Sequence, residues 1–196
     1  MLKVRCLAIL AFALAVPSVG FAGPFGLEMG MKLSQLPGKP EAISGGYYKL
    51  TSVPKPHSSF EAYVVKLSPS TGVCWIKGIG VDIETSSYGI QLKSAFEEMR
   101  GKLDSAYGKS KLSDFLMPNS IWNEPNDWMM ALIKKERLLA AQWGKEYGSN
   151  LPSDLESIAL MASPTGRSEG YLALEYSGHQ KSKCDAELEA KEDDAL

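Results

Sequence analysis

The chain has 196 residues, 44% of them hydrophobic and 22% charged, with 21 basic against 23 acidic side chains and a net charge of −2. That length is one ordinary domain, large enough to bury a real core. The balanced charge, with no basic stripe, excludes a nucleic-acid partner.

The first twenty-two residues read as a leader. Lys3 and Arg5 make a basic start, Cys6 to Val16 is almost wholly apolar, and Pro17 to Gly20 breaks that run. Gly20 and Ala22 place small residues for cleavage after Ala22, the three-part layout of a secretory signal peptide. The apolar run is too short to span a bilayer comfortably. The competing reading is a buried N-terminal helix. Cys6 stands at the start of the apolar run, not at its end, so it is not a lipid-anchor cysteine. No second apolar segment reaches membrane-spanning length, so residues 23–196 are expected to be soluble, periplasmic or secreted. Without Lys3 and Arg5 the chain carries 19 basic against 23 acidic residues, and Asp185 to Leu196 alone holds six carboxylates and one lysine.

Two cysteines remain, Cys74 and Cys184, and in an oxidising compartment such a pair reads as one disulfide. The alternative is two unpaired thiols, with Cys74 buried in a strand. Closing so long a loop is worth roughly 4–5 kcal/mol in the chain-entropy model. No CxxC motif is present, so redox catalysis has no support.

Along residues 23–180 the pattern predicts a short helix over Leu27–Leu36, a Pro/Gly/Ser-rich loop to Gly46, and a short strand over Tyr47–Thr51. The prolines of Val53–His57 demand extended chain. Phe60–Leu67 and Val73–Ile83, joined by Ser68–Gly72, form a hairpin. In its second run Val73, Trp75, Ile79, Val81 and Ile83 share one face, and Cys74, Ile76, Gly78 and Gly80 the other. Gly78 and Gly80 in a strand read as a close-packing feature. Leu92, Phe96, Met99, Leu103 and Tyr107 recur at helical spacing, predicting a helix from about Gly89 to Tyr107 with Gly108 as its stop.

Residues 127–144 suit a helix by propensity, but the order apolar–polar–apolar favours a strand hairpin turning at Lys134–Glu136. Leu155–Ala162 and Gly170–Tyr176 are two further strands. In the acidic tail, residues 181–196, the part after Cys184 has helical composition but little apolar surface and is expected to fray or stay disordered. Together these elements predict an α+β domain over residues 23–180. Its mostly antiparallel sheet of five to seven strands carries one long and one short helix packed on one face.

Enzyme signatures are sparse. His57 and His179, the two histidines, both sit in loops, and no HExxH, GxSxG or phosphate-loop pattern occurs. No cofactor or metal is implied. Asp82 and Glu84 at a strand end, with Asp114 or Asp127, are the one carboxylate grouping suited to a hydrolase acting on an envelope polymer; solvated strand-end carboxylates are the simpler reading. For binding, the segment Phe115–Trp128 sets Met117, Trp122 and Trp128 among prolines and asparagines including Asn123. Aromatic residues on such a loop serve as anchors for a partner protein or a carbohydrate ring. The competing reading has both tryptophans plugging the edge of the core.

The opening Gly26-Leu-Glu-Met-Gly-Met-Lys-Leu-Ser-Gln-Leu36 resembles the start of small periplasmic lipoproteins of outer-membrane assembly, over about a dozen residues. The chain departs from them in lacking a lipidated cysteine. Taken whole, with its Pro-Phe-Gly-Leu-x-Met-Gly-Met start and Trp-rich middle, it is similar to a group of uncharacterised exported bacterial proteins. That resemblance implies no activity. The function expected is a non-catalytic binding or accessory module for a protein or an envelope component.

Overall fold

The structure is a computed structural model that describes residues 23–194; the leader Met1–Ala22 lies outside the described residues. The chain builds an α+β fold around one antiparallel sheet of nine strands, more than the five to seven expected. In chain order these are β1 (Glu41–Ala42), β2 (Tyr47–Leu50), β3 (Phe60–Ser68), β4 (Gly72–Gly80), β5 (Ile83–Glu84), β6 (Lys111–Leu116), β7 (Arg137–Gly144), β8 (Leu155–Gly166) and β9 (Glu169–Gly178). The α-helices are α1 (Ile90–Tyr107), α2 (Trp128–Ile133) and α3 (Lys181–Asp193). Across the sheet the order is β1-β2-β3-β4-β9-β8-β7-β6, with β5 beside β9 beyond the end of β4.

Strand alternation sorts the side chains into two faces. Tyr63, Val65, Ile76, Leu174, Tyr176, Ile158, Leu160, Ala141 and Trp143 come to one face through the β3–β4–β9–β8–β7 register, and all are buried. Against it lies α1, burying Leu92, Phe96, Met99 and Leu103 on the stripe that its periodicity marks. Gly89 and Gly108 flank this helix with φ of 68° and 83°, conformations that glycine adopts without a Cβ penalty.

In β4 the buried face is Ile76, Gly78 and Gly80, while Trp75 and Ile79 are only half-buried on the other. The glycines explain this. A Cβ on Gly78 would sit 2.8 Å from Phe25 and 2.9 Å from Phe60, so these rings occupy the room that the missing side chain leaves. Phe25 meets Phe60 and Tyr63 edge-on, at 5.2 and 4.7 Å.

Three local expectations need correction. Leu27–Leu36 is not a helix: two single 3-10 turns, Pro24–Gly26 and Leu33–Gln35, flank a turn at Met29–Gly30, where Gly30 takes φ 86°. The Gly30 N–H donates to the Val73 carbonyl at 2.7 Å and the Val73 N–H to Met31 at 2.8 Å, so ladder bonds replace helical ones. Residues 127–144 divide: the turn falls at Lys134–Glu136 and the second arm is β7, but the first arm is α2. At six residues α2 is short enough to bury Trp128, Met129, Ala131 and Leu132 between its neighbours without one narrow stripe. Lys135 reverses the chain at φ 58°, the position that glycine usually fills after a helix.

The acidic segment does not fray. It forms α3, packed against β3 and β4. Cys184 is buried and bonded to Cys74 with Cα atoms 6.4 Å apart, across a sequence separation of 110 residues. A bulge between Lys66 and Leu67 leaves Cys74 without a ladder partner in β3. Polar contacts complete the dock: Lys66 Nζ meets Asp185 at 2.5 Å, and Glu187 accepts from Ser68 and Ser70.

Candidate functional site

The segment singled out for its aromatic residues begins inside β6 and ends in α2. Its side chains therefore part company. Trp128 is 5% exposed, with its ring lying where a Cβ on Gly89 would be. The ammonium of Lys93 stands 4.4 Å from the ring centroid. Trp128 is thus a core residue joining α1 to α2. Trp122 is half-buried, its N–H donating to Ser120 Oγ at 3.1 Å. Asn123 and Met117 are exposed.

What the sequence pattern missed is that this exposed loop continues from a free sheet edge. β6 pairs with β7 from Lys111↔Gln142 to Leu116↔Arg137, and among the described residues no strand pairs with its other side. The register puts Leu112 and Asp114 on the helix-bearing face, with Ala141 and Leu139, and puts Phe115 on the opposite face beside Leu138. Leu112 is 46% exposed, Phe115 49%, Met117 48% and Ile121 76%. Apolar side chains at half exposure or more, beside a row of unpaired backbone groups, make a template for a further strand.

The edge is held rigidly from behind. Arg137 Nη1 donates to Asp114 at 2.7 Å across β6–β7, and the Met117 N–H donates to the Glu136 carbonyl at 2.7 Å. Asn119, at φ 65°, turns the chain after Met117. A groove of about 290 Å³ runs beside Phe115 and Met117, walled by Leu132, Leu138 and Pro164. Burial and the nearby Arg137 charge push the Lys93 ammonium below the usual lysine value, with Asp114 opposing.

The carboxylates considered for hydrolysis do not converge. Asp82 and Glu84 are exposed at β5, whereas Asp114 on β6 is engaged by Arg137. Three strands separate β5 from β6, a lateral offset of about 19 Å. Among the described residues no three His, Cys, Asp or Glu side chains cluster as metal ligands. No helix of the described residues is long and apolar enough to cross a membrane. No protein-family model matches the chain, and no curated protein or solved structure is similar to it.

Proposed function

We propose that the protein is exported and acts as a non-catalytic binding module, taking an extended segment of a partner polypeptide as an added strand on β6. The observation that carries this reading is the unpaired β6 edge flanked by exposed Leu112, Phe115, Met117 and Ile121. Backbone hydrogen bonds along the edge supply affinity, and alternate side chains of the incoming strand select between the two faces. The groove beside Phe115 and Met117 supplies an apolar seat on one of them. At the opposite end of the sheet β1 is two residues long, a blunted edge that offers little to pair with. Among the residues first singled out, Met117 directly follows the docking edge, Trp122 and Asn123 lie on the loop beyond it, and Trp128 contributes through the fold alone. The signal-peptide pattern of residues 1–22 supports export, and with it a periplasmic partner.

The test pairs capture with a structural readout. Tagged protein is used to recover a partner from periplasmic extract, and amide exchange is then measured on the purified complex. Protection of the Lys111–Leu116 amides on binding, with capture lost in Leu112→Lys/Phe115→Lys, is the expected result. A partner held equally well by that variant, or a complex that leaves the β6 amides unprotected, refutes the reading.

A further inference from the structure

Away from β6, the helix-bearing side of the sheet carries a cleft of about 1290 Å³, larger than the roughly 300–1,000 Å³ usual for small-molecule sites. Leu174 and Tyr176 of β9 form its floor. Met99, Leu103 and Ala106 of α1 make one wall, and the segment from Phe25 to Met29 makes the other. The middle is apolar and the two ends are charged with opposite sign.

At the cationic end His57 precedes β3 and Lys102 projects from α1, while Lys55, whose N–H donates to the Phe25 carbonyl at 2.9 Å, stands beside Gly26 on the wall. Lys102 also lines a smaller adjoining cavity with Ser59 and Leu172, which places Lys102, and His57 two residues from Ser59, near Leu172. The Ser59 N–H donates to His57 Nδ1 at 3.1 Å, so the ring proton sits on Nε2 and remains a donor. At the other end stand Glu28 and Asp154. A Cβ on Gly178 would lie 3.1 Å from Met29 and 3.5 Å from the Asp154 carbonyl, which places this end at Gly178. From Leu172 to Gly178 along β9 is about 20 Å at the strand rise. Among the described residues Lys55, Glu28 and Asp154 have no ion-pair partner, and Lys102 has only Glu98, one helical turn away on the surface at 2.8 Å.

We propose that this cleft binds a short apolar peptide in extended form, its terminal carboxylate at His57 and Lys102 and its terminal ammonium at Glu28 and Asp154. About six extended residues span 20 Å. Asn150, Ser153 and Tyr107 along the walls offer hydrogen-bond groups to its backbone. An acyl chain with one anionic head would use the cationic end and leave Glu28 and Asp154 facing no charge. The site is independent of β6, so either reading can fail alone.

Calorimetric titration of the purified protein with a Leu-Ala repeat hexapeptide tests it, using the peptide with free termini, amidated at the C-terminus, or acetylated at the N-terminus. The free peptide is expected to saturate one site. Ala106 is exposed on the cleft wall, so Ala106→Trp fills the cleft without crowding the core and weakens binding at least ten-fold. Amidation costs about three-fold in the parent protein and nothing in Lys102→Glu; acetylation behaves likewise with Glu28→Lys. Circular dichroism confirms that each variant is folded, and the two charge reversals, both at exposed positions, carry the test if Ala106→Trp is not. Absence of saturable binding, affinity indifferent to both terminal blocks, or tighter binding of dodecanoate that ignores Glu28→Lys overturns the proposal.

Discussion

Removing the Cys74–Cys184 bond should separate α3 from the sheet before the rest of the molecule unfolds. The bond closes a loop spanning 110 residues, and the chain-entropy relation puts its constraint on the unfolded chain at about 4.8 kcal/mol, an upper figure because denatured-state structure reduces it. At about 2–4 °C per kcal/mol for a domain of this size, the Cys74→Ala/Cys184→Ala variant should melt roughly 10–20 °C lower. Alanine is chosen because both positions are buried and a serine hydroxyl there would lack a partner. Without the bond, α3 is a 13-residue helix whose buried contribution is Cys184 alone. Isolated helices of that length are marginal in water. It should melt first, taking with it 13 of the 37 α-helical residues described and about a third of the helical ellipticity. Thermal melts followed at 222 nm, with amide exchange over Lys181–Asp193, read both effects. A variant that melts within 2 °C of the parent, or whose α3 amides stay protected, refutes the assignment of the disulfide as the tether of that helix.

Trp128→Ala removes a buried ring between α1 and α2 and should cost about 3–5 kcal/mol in urea unfolding, whereas half-buried Trp122→Ala should cost well under half of that. Gly89→Ala introduces a Cβ 2.0 Å from the Trp128 ring at a φ of 68°; a loss of more than about 1 kcal/mol is expected, and a neutral result would mean that the α1 start is not packed against α2 as described. Acid should weaken the α3 dock. Burial pushes Asp185 up, but hydrogen bonds from Lys181 and Lys66 outweigh it and hold the carboxyl below its ordinary value; Ser68 and Ser70 lower Glu187 in the same sense. A depressed carboxylate contributes stability above its unfolded pKa and loses it as pH falls through the folded one, so exchange protection of α3 should fall below about pH 4 and hold steady from pH 5 to 7. Asp185→Asn should flatten that profile.

The sequence by itself determined α1, the β3–β4 hairpin, the strands β8 and β9 and the Cys74–Cys184 pairing. In each, one chemistry dominates: a 3.6-residue apolar stripe between glycines, two β-rich runs around a Pro/Gly turn, or the only two cysteines after the leader. Tertiary structure decided the rest. β6 was illegible because an edge strand exposed on both faces needs no alternation, and Lys-Leu-Ser-Asp-Phe-Leu shows none. Leu27–Leu36 surrenders helical bonds to the free end of β4, and Trp128–Ile133 stays helical because its neighbours surround it; neither environment is written in the local pattern. α3 is ordered by a covalent link and by partners more than a hundred residues away, which no window of its own residues contains. The free edge and the two-ended cleft arise in the same way, from which strands find neighbours and which charged loops the sheet brings to opposite ends of one floor.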